Sequence, residues 1–188
     1  DKAVEIDVHH ARNVVSLESG CFSNNDALRK LDLRSWTKFT MFDEIDDDFV
    51  CDCYDLRIVH LPPNLEILPA AFRNCCELRS LDLRNLPLKH IGPRCLAMDH
   101  WPTTSASSCQ VIFGHQPALE YIGPSFCHHR NNIVELDLSG LVALKEIDES
   151  FASDCKNLKT LLLNGLPELE IIQNGFANDN PSLERVLL

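Results

Sequence analysis

The stretch from Leu136 to Leu158 reads LDLSGLVALKEIDESFASDCKNL, and the stretch from Leu161 to Leu183 reads LLLNGLPELEIIQNGFANDNPSL. Written one under the other, the two stretches place Leu, Ile and Phe in the same columns and set Cys155 against Asn180. The two copies are 25 residues apart. Self-similarity at such a period indicates stacked structural units, each of which buries its apolar face only against its neighbours.

The same pattern extends over the whole chain as an apolar-x-apolar pair that opens each unit. The first residues of the pairs are separated by 25, 28, 22, 30, 25, 25 and 25 residues. They are Ile6, Leu31, Val59, Leu81, Val111, Leu136, Leu161 and Val186. Because neighbouring side chains of a strand point to opposite faces, each pair predicts a short strand with two inward residues and one outward residue between them. About eight such strands predict one parallel sheet on the concave side of a single solenoid domain, residues 1–188.

Two further columns follow each strand. An aliphatic column contains Leu17, Ile45, Leu68, Ile91, Ile122, Ile147 and Ile172, and an aromatic column contains Phe22, Phe49, Phe72, Phe126, Phe151 and Phe176, with Cys95 in place of a Phe. The segment after each Phe is too short for a long helix, so we expect a short helix or a helical turn on the convex side. The predicted fold class is therefore an α/β solenoid.

A small side chain precedes the last Leu of most units by three residues. Asn25, Cys53, Cys75, Cys155 and Asn180 occupy this position, and Arg130 breaks the series. Buried turning backbone needs hydrogen-bond partners, which a small Cys or Asn can supply. These residues are accordingly interpreted as a structural ladder. Nine cysteines cannot all pair internally, and buried reduced thiols fit this interpretation best.

The spacing of Ile147, Phe151, Cys155, Leu158, Leu161 and Leu163 resembles leucine-rich repeats, and more closely the BspA-like subclass of bacterial surface antigens and protozoan proteins. The resemblance covers essentially the whole chain. It implies a protein-interaction module and, in bacterial members, adhesion. Cysteine-containing repeats of F-box adaptors are a second resemblance, although in them a longer helix separates the aliphatic position from the Cys.

Composition argues against several functions. The formal net charge of −11 disfavours nucleic-acid binding through a basic surface. The chain contains no apolar run of membrane-spanning length. The histidine pairs His9–His10 and His128–His129 adjoin no nucleophile motif and no recognisable metal-ligand spacing. Cys51, Cys53, Cys75 and Cys76 lack the spacing of a zinc knuckle. We therefore predict a protein that is not an enzyme and has no cofactor or metal.

The outward residues of the predicted sheet are the candidate partner-binding site. They are Asp32, Arg34, His60, Asp82, Arg84, Ile112, Asp137, Leu162, Asn164 and Leu187. Exposed aliphatic side chains rimmed by polar residues favour protein contact. Two insertions relative to the regular unit contain Trp36 and Trp101, which either anchor a partner or fold back over the edge of the repeat.

The predicted function is protein recognition or scaffolding inside the cell, in the cytoplasm or nucleus, with a protein partner of unknown identity. The alternatives are a cell-surface adhesin or ligand-binding ectodomain and, third, an F-box-like substrate adaptor. No terminal cap is recognisable, so we expect a fragment of a longer array that is able to associate through its ends.

Overall fold

The computed structural model of the chain describes residues 4–42, 48–99 and 108–188, and it forms a parallel β-solenoid. Each of the first seven coils contributes one three-residue strand and one two-residue strand, and the last described strand, β15, is a three-residue strand. The three-residue strands are β1 (Glu5–Asp7), β3 (Lys30–Asp32), β5 (Ile58–His60), β7 (Ser80–Asp82), β9 (Gln110–Ile112), β11 (Glu135–Asp137), β13 (Thr160–Leu162) and β15 (Arg185–Leu187). The two-residue strands are β2 (Ser16–Leu17), β4 (Met41–Phe42), β6 (Ile67–Leu68), β8 (His90–Ile91), β10 (Tyr121–Ile122), β12 (Glu146–Ile147) and β14 (Ile171–Ile172).

The eight three-residue strands lie where the apolar-x-apolar pairs predict them. Their register keeps the repeat, since Leu31 pairs with Val59 and Leu161 pairs with Val186. The strands are hydrogen-bonded as β1–β3–β5, β7–β9 and β11–β13–β15, so the predicted single continuous sheet is divided into three ladders. At the two junctions the coils remain joined by backbone bonds outside the strands, from Arg79 N–H to Arg57 O at 3.3 Å and from Cys109 N–H to Asn132 O at 2.7 Å.

The two-residue strands form a second face in which β6, β8, β10, β12 and β14 are adjacent. On this face Leu17 pairs with Phe42. Phe42 follows Leu33 by nine residues, the same spacing as Ile147 after Leu138, so this coil is regular up to Phe42. Ile45, which the sequence predicts to continue the aliphatic column, lies outside the described residues.

The predicted short helices on the convex side are absent from the described residues, which contain turns there instead. Ser150 and Asp154 have φ angles of 54° and 57°, and an α-helix does not tolerate such residues. The backbone N–H groups of Ser150, Ala152 and Asp154 donate to carbonyls of the next coil at 3.0, 2.8 and 2.9 Å. Because these donors bond between coils, they are not available for bonds within a helix. No helix with the length and apolarity needed to cross a membrane occurs in this described part of the chain.

The core runs along the solenoid axis and is built from the predicted columns. Phe49, Phe72, Phe126 and Phe151 are fully buried, and the rings of Phe126 and Phe151 stack with centroids 5.3 Å apart. Cys95 is also fully buried, at the position of the missing Phe. Burial of these side chains against the adjacent coils is the main force that holds the stack together.

The interpretation as a structural ladder is confirmed for Cys53, Cys75, Cys155 and Asn180. Within the described ranges, Oδ1 of Asn25 is buried without a hydrogen-bond partner. The thiols of Cys53, Cys75 and Cys155 donate to the carbonyls of Phe22, Val50 and Cys127 in the preceding coil, at 3.1, 3.0 and 3.0 Å. Asn180 does the same through Nδ2, which lies 2.8 Å from the carbonyl oxygen of Ala152. Each of these four side chains therefore donates to a carbonyl of the turning backbone in the preceding coil and joins the two coils.

Arg130 occupies the ladder position of its coil although it is neither Cys nor Asn. Its long side chain forms hydrogen bonds with the preceding coil and with the coil before that. Its guanidinium is buried and donates to Leu96 O of the preceding coil at 3.4 Å. The same group extends one coil further and donates to Cys75 O at 2.9 Å and to Leu78 O at 3.5 Å. It thus spans the coil whose regular pattern the insertion at residues 100–107 interrupts.

Candidate functional site

The outward side chains of the three-residue strands form the surface called here the strand face. Register aligns the middle residues within each of the three ladders. Asp7, Asp32 and His60 are paired in turn, Asp82 is paired with Ile112, and Asp137 is paired with Leu162, which is paired with Leu187. Arg34, Arg84 and Asn164 follow the ends of their strands and are exposed. The strand pairings therefore hold the candidate residues within three registered groups. None of these outward side chains is needed to fill the core.

The aspartates of the column have a structural role that sequence reasoning missed. Each accepts a hydrogen bond from the backbone N–H two residues later. These bonds join Asp32 to Arg34 at 3.3 Å, Asp82 to Arg84 at 3.1 Å and Asp137 to Ser139 at 2.9 Å. A side chain that bonds its own backbone two residues on stabilises a turn. The recurring Leu-Asp-Leu pattern was the available signal, since it places an Asp just before each turn.

Arg34 and Arg84 each form a forked ion pair with the aspartate of their own coil. The Nε and Nη2 atoms of Arg34 lie 2.9 and 2.5 Å from Asp32, and those of Arg84 lie 2.9 and 2.7 Å from Asp82. The side-chain hydrogen bond from each arginine lowers the pKa of its aspartate. Such forks hold the guanidinium groups in a defined orientation at the surface.

His60 lies between the two forks and is half-buried. It contributes to the lowered pKa of both Asp32 and Asp82, which places the imidazole near both carboxylates. A shallow depression of about 240 Å³ opens here, and its lining includes Arg34, His60 and Arg84. Two further depressions open on the strand face, one of about 360 Å³ beside Lys30 and one of about 310 Å³ beside Ile112. The strand face therefore contains three shallow depressions whose linings include charged side chains.

The aliphatic part of the strand face is concentrated near its end. Leu162 is half-buried, and Leu187, its register partner, is 37% exposed. Ile112 belongs to a different ladder, and Asp137 stands between it and Leu162 in the order of the strands. The predicted apolar stretch is therefore one contiguous pair, Leu162 and Leu187, with Ile112 set apart.

The two tryptophans proposed as loop anchors have different outcomes. Trp36 is only 2% exposed and stacks on Phe39 with ring centroids 5.8 Å apart, which agrees with the alternative that it folds back onto the repeat. It follows Leu33 by three residues, as Leu141 follows Leu138, and fills the same core column. Trp101 lies outside the described residues.

A family model and one solved structure resemble the chain. Residues 4–100 match the model of the BspA type leucine rich repeat region, with six copies. A crystal structure of a leucine-rich repeat protein from Bacteroides ovatus matches with 15% sequence identity and a TM-score of 0.36. The match covers 93% of this chain and 55% of that one, so the present chain spans about half of its length. No curated protein matches the chain.

Proposed function

The chain belongs to the family of BspA-type leucine-rich repeat proteins, and from that premise we propose that it is a protein-recognition module that binds its partner through the strand face. The module binds without catalysing a reaction. The observation that carries this proposal is the register of the three-residue strands, which leaves one outward side chain per coil in a fixed column.

The strand face has the features of a protein-binding surface. Its backbone is held by hydrogen bonds between coils, so little conformational entropy is lost when a partner binds. The forks of Arg34 and Arg84 present oriented guanidinium groups, and arginine is among the residues enriched in the energetic centres of interfaces. Leu162 and Leu187 add apolar area that binding removes from water. A suitable partner presents an apolar patch and, at a distance along the sheet, charged side chains.

Replacing Leu162 with Asp is expected to weaken capture of the native partner at least tenfold while the fold is kept. The side chain points outward and is half-buried, so a carboxylate there remains solvated in the free protein. In a complex the same carboxylate is buried without a partner, which costs about 2 kcal/mol or more. The measurement is affinity purification from the native organism with wild-type and variant bait, followed by quantitative mass spectrometry.

Ile171→Asp is the matched control. Ile171 is 49% exposed on β14, which belongs to the second face of the solenoid. Circular dichroism and thermal unfolding of both variants verify the fold. If the same protein is captured equally by wild type and Leu162→Asp, or is lost only with Ile171→Asp, the strand face is not the docking site.

We further propose that the protein works in a reducing compartment inside the cell. The support is the ladder, in which three thiols act as hydrogen-bond donors and so need to stay protonated. Burial raises the pKa of the Cys95 thiol to about 12 and raises those of Cys75 and Cys127 as well. A thiol with a raised pKa is a poor nucleophile and oxidises slowly.

Thiol titration in denaturant is expected to detect nine free thiols in protein isolated from its native source. In the folded protein, iodoacetamide is expected to modify the exposed Cys21 first, while the seven buried cysteines react only after unfolding. Peptide mass spectrometry identifies the modified residues. Several disulfides in the native protein, detected by the same titration, favour the cell-surface alternative and contradict this proposal.

A further inference from the structure

A cluster of two histidines and one aspartate lies on the turn side of the solenoid, away from the strand face. It contains His128 and His129 of one coil and Asp154 of the next. One nitrogen or oxygen ligand atom from each side chain lies within 4.8 Å of the other two. The imidazole rings of the two histidines are 3.9 Å apart between centroids, and His129 Nδ1 is 3.9 Å from Asp154 Oδ2. The three side chains are partly buried.

The repeat itself brings these residues together. His129 and Asp154 are 25 residues apart and occupy the same position of consecutive coils, with φ angles of 58° and 57°. In a solenoid, residues one repeat apart are neighbours, so the 25-residue separation of His129 and Asp154 was a signal for this cluster. A search for metal-ligand motifs within a single coil does not detect it.

The backbone under the cluster is fixed by hydrogen bonds between coils. His129 N–H donates to Ser153 O at 3.0 Å, and Asp154 N–H donates to Asn178 O at 2.9 Å. His128 O accepts from Met98 N–H at 2.9 Å. Ligands on a rigid backbone bind an ion with little loss of entropy, because the protein orders no segment around it.

His128 has a buried polar atom that the fold leaves unsatisfied. Within the described ranges, Nδ1 of His128 has no hydrogen-bond partner although it is shielded from water. An imidazole nitrogen is a common ligand of metal ions in proteins. A cation at the cluster would give this nitrogen a partner.

We propose that His128, His129 and Asp154 form a Zn²⁺ site, with water in the remaining coordination position. Zn²⁺ takes imidazole nitrogen and carboxylate oxygen at about 2.0–2.2 Å, which places tetrahedral ligands roughly 3.3 Å apart. The present spacing is up to 4.8 Å, so binding requires the side chains to move closer together. The nearby guanidinium of Arg94 is paired with Asp99, which reduces its repulsion of a bound cation.

The test is calorimetric titration of the whole chain, purified without a polyhistidine tag, with Zn²⁺ alone. We expect binding of one ion per chain and at least a tenfold loss of affinity in His129→Asn and in Asp154→Asn, since even outer-shell changes cost about 10–100-fold in metal affinity. Asn is compatible with the backbone at these positions, because Asn24 and Asn74 occupy the equivalent place in other coils with φ angles of 60°. Thermal unfolding confirms that the variants are folded.

The other histidine pair supplies the control. His9 and His10 also lie close together, with ring centroids 3.7 Å apart, but His9 is already hydrogen-bonded to Asp7. His9→Asn is expected to leave the affinity unchanged. Co²⁺ replaces Zn²⁺ in a parallel absorption experiment that detects thiolate ligands. A thiolate charge-transfer band, loss of binding only in His9→Asn, or no binding below millimolar Zn²⁺ would each overturn the proposal.

Discussion

Replacing Arg130 with Ala is expected to lower the free energy of unfolding by about 3–5 kcal/mol. The guanidinium is buried and donates to Cys75 O, Leu78 O and Leu96 O. Truncation removes these donors and leaves a cavity in place of a long side chain. Cys75 O keeps its bond from Leu78 N–H, but a buried carbonyl that loses its partner costs about 1–3 kcal/mol, and the cavity adds its own penalty. Denaturant unfolding followed by circular dichroism measures the loss.

Two variants separate the contribution of the Arg130 contacts two coils away from the contribution of its ladder position. Arg130→Asn introduces a residue found at the equivalent ladder positions 25 and 180, but its short amide cannot reach Cys75 O two coils away. It is expected to restore only part of the stability. Arg185→Ala removes an exposed arginine and is expected to change the free energy of unfolding by less than about 0.5 kcal/mol. Full stability in Arg130→Asn would show that the two-coil reach contributes nothing.

Replacing Phe151 with Ala is expected to cost about 3–5 kcal/mol of the free energy of unfolding. Its ring is fully buried between Phe126 and Phe176, with centroids 5.3 and 5.9 Å away. The substitution removes the contacts on both sides and opens a cavity between three coils. Because each coil is stabilised mainly by its neighbours, the C-terminal coils are expected to unfold at lower denaturant concentration than the rest. Hydrogen exchange measured by mass spectrometry resolves this order.

Phe176→Ala makes the same change one coil further along. Phe176 is only partly buried and stacks on Phe151 on one side, so its loss is expected to be smaller. Equal costs for the two substitutions would mean that burial within the aromatic column does not determine its stability.

Much of the fold could be predicted because each coil carries its own apolar pattern. The eight strands, the aromatic column and the ladder all follow from residues that recur at the repeat distance. The prediction of convex helices failed because the backbone donors bond to the next coil, as Ala152 N–H does to Phe176 O. The sequence left two alternatives for Trp36 because an insertion can be placed before or after a regular segment, and the burial of Trp36 and the pairing of Leu17 with Phe42 decide between them.

The candidate sites, like the fold, were predictable from the sequence only in part. The strand-face column could be listed from the sequence, since side chains alternate along a strand. The forks of Arg34 and Arg84, and the turn-stabilising role of the aspartates, depend on side-chain geometry that a pattern of letters does not contain. The cluster of His128, His129 and Asp154 was missed because its ligands come from different coils.

The sequence by itself determined which side chains face inward and that the units stack, because both depend on local apolar spacing repeated along the chain. Only the tertiary structure decided what each polar side chain meets in the neighbouring coil. Arg130 reaches past one coil to the next, and His128 lies beside a carboxylate from the coil that follows it. The physical reason is that these contacts form between neighbouring coils. The length of each coil and the conformation of its turns decide which residues of the two coils lie next to each other.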